Sequence, residues 1–199
     1  MKTNHFLLAA CALLALAFTC SCSSYRTVTI GSQTWMADNL NIDASGSKCY
    51  GDDSANCTKY GRLYDWETAK TVCPDGWRLP NEADWYVLVK YADPNWVSNS
   101  EDGNISGKKL KAKSGWAAGP AGAVGSDNYN FSGLSGGGYI PSSGFAGINN
   151  FGYWWSSDED SGTTNGAKLM KLDYYETYAL INTYTKASLY SVRCIKEVK

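Results

Sequence analysis

Imidazole is almost absent from this chain: its single histidine, His5, stands at the extreme N-terminus. Everything beyond it works without the side chain best suited to moving protons at neutral pH. That excludes Ser-His-Asp and Cys-His nucleophilic catalysis and every zinc site that needs a histidine. Carboxylate-only chemistry such as glycoside hydrolysis passes this filter, but it needs two acids at a set separation in a cleft, and the sequence singles out no such pair. An excess of charge of one sign is missing too. Eighteen basic and nineteen acidic residues leave a formal charge of −1. No basic block stands out, so there is no electrostatic footprint for nucleic acid. The long apolar run, Phe6 to Phe18, falls short of the ~20 residues a membrane-spanning helix needs.

That run follows the cationic Met1-Lys2-Thr3-Asn4-His5, which together read as a secretory signal. Next comes Thr19-Cys20-Ser21-Cys22-Ser23-Ser24. Small residues ahead of a cysteine are what lipoprotein signal peptidases accept, and the new N-terminal cysteine then carries acyl chains. Cys22, preceded by Ser21, fits better than Cys20, which has Phe18 two positions before it. The expected organisation is a signal peptide over 1–21, an acylated Cys22, a short tether over 22–27 and one domain over 28–199. Several acyl chains, at about 0.8 kcal/mol per buried methylene, hold such a protein on a membrane. Ser23, where an inner-membrane retention signal has Asp, points to the outer membrane of a bacterial envelope, facing the periplasm or the outside. Removal of the signal takes His5 with it.

Of seven cysteines, Cys11 and Cys20 leave with the signal and Cys22 is acylated, so Cys49, Cys57, Cys73 and Cys194 remain. An even number in an exported domain reads as two disulfides. Four cysteines allow three pairings. The favoured one joins Cys49 to Cys57 across a short Gly/Asp/Asn-rich loop, and Cys73 on an early helix to Cys194 on the last strand. A four-cysteine metal site is the competing idea, but the paired short intervals of a zinc ribbon are missing. Neither a metal nor a cofactor is expected.

Eight Trp and fourteen Tyr are costly to expose, and they argue for a loop-rich fold whose core is built from rings. Residues 28–36 read as two short strands around a Gly turn. A helix is expected from Asp65 to Cys73, with Trp66, Ala69 and Cys73 on one face, followed by a turn at Pro74-Asp75-Gly76. A second spans 82–92, capped by Asn81 with Asp84 completing a box-like arrangement, and it buries Trp85, Leu88, Val89 and Ala92. Residues 97–150 are mostly Gly, Ser, Asn and Ala. They read as ordered irregular structure anchored by Trp116, Tyr129, Phe131, Tyr139 and Phe145. Strands are expected at 152–157, 167–173, 177–184 and 189–195 in an antiparallel meander. Helices first and sheet last imply one α+β domain without internal repeats.

Several separated segments resemble the Fibrobacter succinogenes major paralogous domain family. They are Ile30-Gly31-Ser32-Gln33-Thr34-Trp35-Met36-Ala37-Asp38-Asn39-Leu40-Asn41, Tyr60-Gly61-Arg62-Leu63-Tyr64-Asp65-Trp66, Cys73-Pro74-Asp75-Gly76-Trp77-Arg78-Leu79-Pro80 with Asp84-Trp85, Gly152-Tyr153-Trp154-Trp155-Ser156-Ser157, and Ser191-Val192-Arg193-Cys194. The resemblance implies a C-type-lectin-like fold with two short helices, antiparallel strands, long ordered loops and two disulfides. In that fold a first-helix cysteine pairs with one on the final strand, in agreement with Cys73–Cys194. Arg78-Leu79-Pro80-Asn81-Glu82-Ala83-Asp84-Trp85 is also distantly similar to a run in the formylglycine-generating sulfatase activators. The calcium-binding motifs of sugar-binding C-type lectins are missing, Trp155-Ser156-Ser157-Asp158 being the nearest analogue. The copper-binding cysteines of the sulfatase activators have no free counterpart either. Neither activity is carried over.

Trp154 and Trp155 are adjacent on a strand and therefore point to opposite faces. One is expected in the core, and the other is a candidate to stack on a sugar ring, with Tyr174 and Tyr175 as further candidates. The favoured reading packs both indoles under the loops. Asp158-Glu159-Asp160 and Asp52-Asp53 are weighed as calcium ligands and read instead as solvated acidic turns. Arg62, Arg78 and Arg193 are read as structural donors. The expected function is an envelope-anchored, non-enzymatic binding module for a glycan or an envelope protein. The alternative is an enzyme, either a carboxylate glycosidase or a remote relative of the sulfatase activators.

Overall fold

A computed structural model describes residues 25–97 and 104–197; the signal peptide and the first half of the tether, Cys22 included, lie outside them. The described chain opens on a hairpin, β1 (Thr27–Ile30) and β2 (Gln33–Met36). It turns at Gly31, where φ is 60° and the Tyr91 ring lies 2.9 Å from where a Cβ would stand. A 3-10 turn at Tyr50–Asp52 leads into α1 (Ser54–Tyr60), then β3 (Leu63–Tyr64), α2 (Trp66–Ala69), β4 (Trp77–Arg78) and α3 (Glu82–Ala92). After α4 (Ser106–Leu110) come the hairpin β5 (Gly136–Ile140) and β6 (Gly144–Ile148), then β7 (Phe151–Glu159), β8 (Gly166–Asp173), β9 (Ala179–Thr185), β10 (Tyr190–Ser191) and β11 (Ile195–Lys196).

Among the described residues three sheets result, ordered β1-β2-β11-β4, β3-β10-β7-β8-β9 and β5-β6. The fold is α+β, as the sequence implies. The long strands β7, β8 and β9 form an antiparallel meander, and β10 returns parallel to β7. The last expected strand is split: Val192, Arg193 and Cys194 separate β10 from β11, which crosses into the other sheet.

Helix α3 forms where its sequence requires. The Asn81 side chain accepts the Asp84 N–H while the Asp84 carboxylate accepts the Asn81 N–H, so two otherwise orphaned donors are satisfied. Trp85, Leu88, Val89 and Ala92 are all fully buried. Trp85 stacks on Trp35 at 4.8 Å between ring centres, and Phe131 meets both rings edge-on. This ring cluster is one half of the core, with Trp154, Met170 and Leu172 from the sheet. The other half lies across β7, where Trp155 packs with Tyr64, Trp66, Leu169, Tyr190 and Val192.

Both expected disulfides are present. Cys49–Cys57 spans 8 residues and Cys73–Cys194 spans 121. Their settings differ from expectation. Cys57 sits on α1, a helix capped by the Asp53 carboxylate, rather than in a loop. Cys73 lies in a turn four residues past the end of α2. The helix stops early because Thr71 and Val72 are β-branched and Cys73 precedes Pro74, which disfavours helical backbone. Four short or medium α-helices, not two, therefore occur among the described residues.

Between the half-cores lies a buried polar knot. Arg193, wholly buried, donates to the Phe131 carbonyl and, from Nε and Nη2, to Asn39 Oδ1 at 3.1 and 2.7 Å. The same oxygen accepts the Trp154 indole N–H at 2.8 Å, while Asn39 Nδ2 donates to the Tyr60 carbonyl. Arg78 holds Asp84 with two hydrogen bonds of 2.6 and 3.0 Å, and Arg62 pairs with Asp43 at 2.7 Å. All three arginines are structural donors, as the sequence suggests.

Tyr190 gathers Tyr153, Trp155 and Tyr184 around it at 4.7, 5.0 and 5.6 Å. Burial pushes the Tyr190 hydroxyl up to about 12 and raises those of Tyr64 and Tyr153 as well. Unfolded tyrosines ionise near 10, so above that pH the unfolded chain releases protons the folded chain keeps, and stability falls. Lys111 and Arg193, lowered by burial to about 8 and about 10, act in the opposite sense. The lysine's contribution is complete by about pH 10.5, which leaves three phenols against one guanidinium. Denaturant midpoints measured from about pH 9 to 12 are expected to decline above about 10.5; a level profile there contradicts this accounting.

Candidate functional site: a cleft in the loops

Segment 111–125 is fastened at several points. The Lys111 ammonium donates to the carbonyls of Asp173 and Glu176, both at 2.7 Å, which ties the end of α4 to the β8–β9 turn. Desolvation lowers its pKa to about 8, opposed by the negative charges of Asp173 and Glu176. The Trp116 ring centre is 5.4 Å from this ammonium, and its indole N–H donates to the Gly133 carbonyl at 3.1 Å. The Ala117 N–H meets the Asn149 carbonyl and the Tyr174 N–H meets that of Asn150. Two loops therefore hang side by side from the residues just ahead of β7.

They meet closely. A Cβ on Gly119 would come within 2.5 Å of the Tyr174 carbonyl oxygen, and one on Gly125 within 2.2 Å of that of Ala112. Glycine at these positions lets one backbone lie against another. The cleft that remains has a volume of about 250 Å³, with Trp116 and Tyr174 among its walls and Lys113, Ser114 and Val124 also lining it. No carboxylate lines it. Beside Tyr174, Tyr175 is 57% exposed, its ring edge-on to Tyr174 at 6.0 Å and its N–H held by the Asp173 carboxylate. The arrangement offers rigid aromatic walls, the Lys113 ammonium and the hydroxyls of Ser114 and Tyr174. It can stack on and hydrogen-bond a small polar ring, and its lining has no acid–base pair of carboxylates.

One of the four aromatic candidates lines this cleft: Tyr174, together with Trp116, which the sequence marks only as a loop anchor. Tyr175 touches it only through the Tyr174 ring. Trp154 and Trp155 are elsewhere and cannot serve as stacking surfaces: both are 0% exposed. They do point to opposite faces of β7, but both faces are covered, by the α3 half-core and by the Tyr64–Trp66 half-core. Even their N–H groups are committed, to Asn39 and to the Tyr64 carbonyl.

The acidic runs have structural duties. Asp158 accepts the N–H of Glu82 at the start of α3, Asp160 pairs with Lys168 at 3.4 Å, and Asp53 caps α1. Among the described residues no group of three or more His, Cys, Asp or Glu side chains is placed to hold a metal. No helix among them is long and apolar enough to cross a membrane.

Fold and cleft define an α+β domain, closed covalently near its last strand, with an aromatic-walled cleft in its loops. The chain belongs to the Fibrobacter succinogenes major domain family, whose model matches residues 28–196. Neither a curated protein nor a solved structure matches it.

Proposed function

We propose that this chain is a non-enzymatic glycan-binding module of a bacterial envelope, a lipoprotein anchored through Cys22 and built on a C-type-lectin-like scaffold. The observation that carries the reading is the pairing of Trp116 and Tyr174 in a cleft without a carboxylate. Sugar C–H faces are weakly apolar and stack on such rings, while hydroxyls take the nearby donors. All four described cysteines being in disulfides weighs against thiol or copper chemistry. The lectin-like scaffold is supported by the covalent tie between Cys73 and the end of the chain, and by long loops displayed from a compact sheet.

The test is a glycan panel probed with the mature protein. Saturable binding is expected, with Trp116→Ala and Tyr174→Ala each weakening it about tenfold or more, the equivalent of about 1.4 kcal/mol or more. Tyr91→Ala, at a residue that does not line the cleft, leaves it unchanged. Retention of no glycan, or binding indifferent to both cleft substitutions, sinks the proposal. Release of reducing ends from the same panel moves the protein to the enzymes.

A further inference from the structure

A tether running only from residue 22 to residue 27 leaves the domain little freedom. Three peptide steps separate Cys22 from Tyr25, and at no more than about 3.6 Å each they keep Tyr25 within roughly 11 Å of the acylated residue, whatever path the chain takes. What surrounds Tyr25 is suited to that position. Its half-buried ring lies edge-on to half-buried Trp77, 6.4 Å between centres, and both pack against the Tyr64–Trp66 half-core. Trp77 is on β4, opposite exposed Lys196 of β11, and exposed Arg26 follows Tyr25, paired with Asp38. Amphipathic rings beside cations are what the headgroup layer of a bilayer favours, since the rings seek the apolar boundary and their polar tips stay wet.

The cleft is at the other end of the long strand. The Ser157 N–H, late in β7, meets the carbonyl of Pro80, three residues after Trp77. The loops of the cleft hang from Asn149 and Asn150, just before β7 begins. The residues between span about 20 Å at ~3.3 Å each.

We infer that the Tyr25–Trp77 edge rests in the lipid headgroups of the membrane that holds the acyl chains, so that the opening between Trp116 and Tyr174 is carried on the side away from it. This rests on the acylation of Cys22 proposed above. The partner is the bilayer surface itself, and contact is enforced by the shortness of the connection.

The acylated full-length protein, reconstituted in phosphatidylethanolamine–phosphatidylglycerol vesicles, is tested by flotation and by quenching of tryptophan emission with lipids brominated near the top of their acyl chains. It floats, and emission is quenched. Trp77→Phe removes most of that quenching, and Tyr25→Ser, which alters no tryptophan, reduces it when only tryptophan is excited. Flotation without quenching, or quenching that neither substitution changes, overturns the inference and leaves the anchor standing. Failure to float removes the anchor and the inference together.

Discussion

Asn39→Ala is expected to cost the domain about 3–5 kcal/mol. One side chain closes the buried knot: its oxygen accepts from Arg193 Nε and Nη2 and from the Trp154 indole, and its nitrogen serves the Tyr60 carbonyl. Alanine leaves the guanidinium with the Phe131 carbonyl and the faces of Phe131 and Trp154 as its remaining partners in a site that water does not reach. Burial already lowers this arginine to about 10, against the opposing charges of Asp38 and Asp127, so the guanidinium carries a desolvation cost even with its hydrogen bonds in place. Arg193→Met removes the charge and the need for the acceptor together. In a double-mutant cycle the two changes are therefore expected to overlap, with the pair costing less than the sum of the singles. Additive costs measured by urea denaturation would show that the two side chains act independently.

Removing the Cys73–Cys194 bridge, by Cys73→Ser with Cys194→Ser, is expected to lower stability by about 4–5 kcal/mol. It frees a loop of 121 residues in the unfolded chain. The same treatment of Cys49 and Cys57 frees only 8, and costs about 2–3 kcal/mol on the same reasoning. For a domain of this size each kcal/mol shifts the thermal midpoint by roughly 2–4 °C. The long bridge is thus worth about 10–20 °C and the short one about half that. Equal shifts for the two pairs would rule out loop closure as the main source of the stabilisation.

What could be read from the sequence was local. Asn81, Asp84 and the spacing of Trp85, Leu88, Val89 and Ala92 define α3 within a dozen residues, and the structure agrees at every one of those positions. The alternation along β7 correctly puts Trp154 and Trp155 on opposite faces. What covers those faces is not local: the groups that take their N–H donors stand 115 and 91 residues away. Hence the reading that packs both indoles holds, and the candidate stacking face is closed. Helix α1 leaves no signal in the sequence because Ser-Ala-Asn-Cys-Thr-Lys-Tyr is a run of mostly weak helix formers. It is held by the Cys49–Cys57 bond and by the Tyr60 hydroxyl on Asn149.

The hairpin of β5 and β6 is hidden for a related reason. Its glycines erase the two-residue rhythm of a strand, and they are there because the ribbon lies against other rings; a Cβ on Gly138 would stand 2.4 Å from Tyr190. The cleft was half legible. Tyr174 and Tyr175 follow each other in a turn between two recognisable strands. Trp116 lies in a stretch of small residues whose course is set by carbonyls of Gly133 and Asn149 that no nearby pattern reveals.

The pairing of β2 with both β1 and β11 has a consequence for how such a unit can be used. Val28 and Ile195 flank Trp35 from either side, so with strands about 4.8 Å apart the backbone enters and departs within roughly 10 Å. A segment whose entrance and exit nearly coincide can be spliced into a surface turn of another protein, or strung in series, without stretching its host. The architecture lends itself to duplication and transplantation as a self-contained cassette.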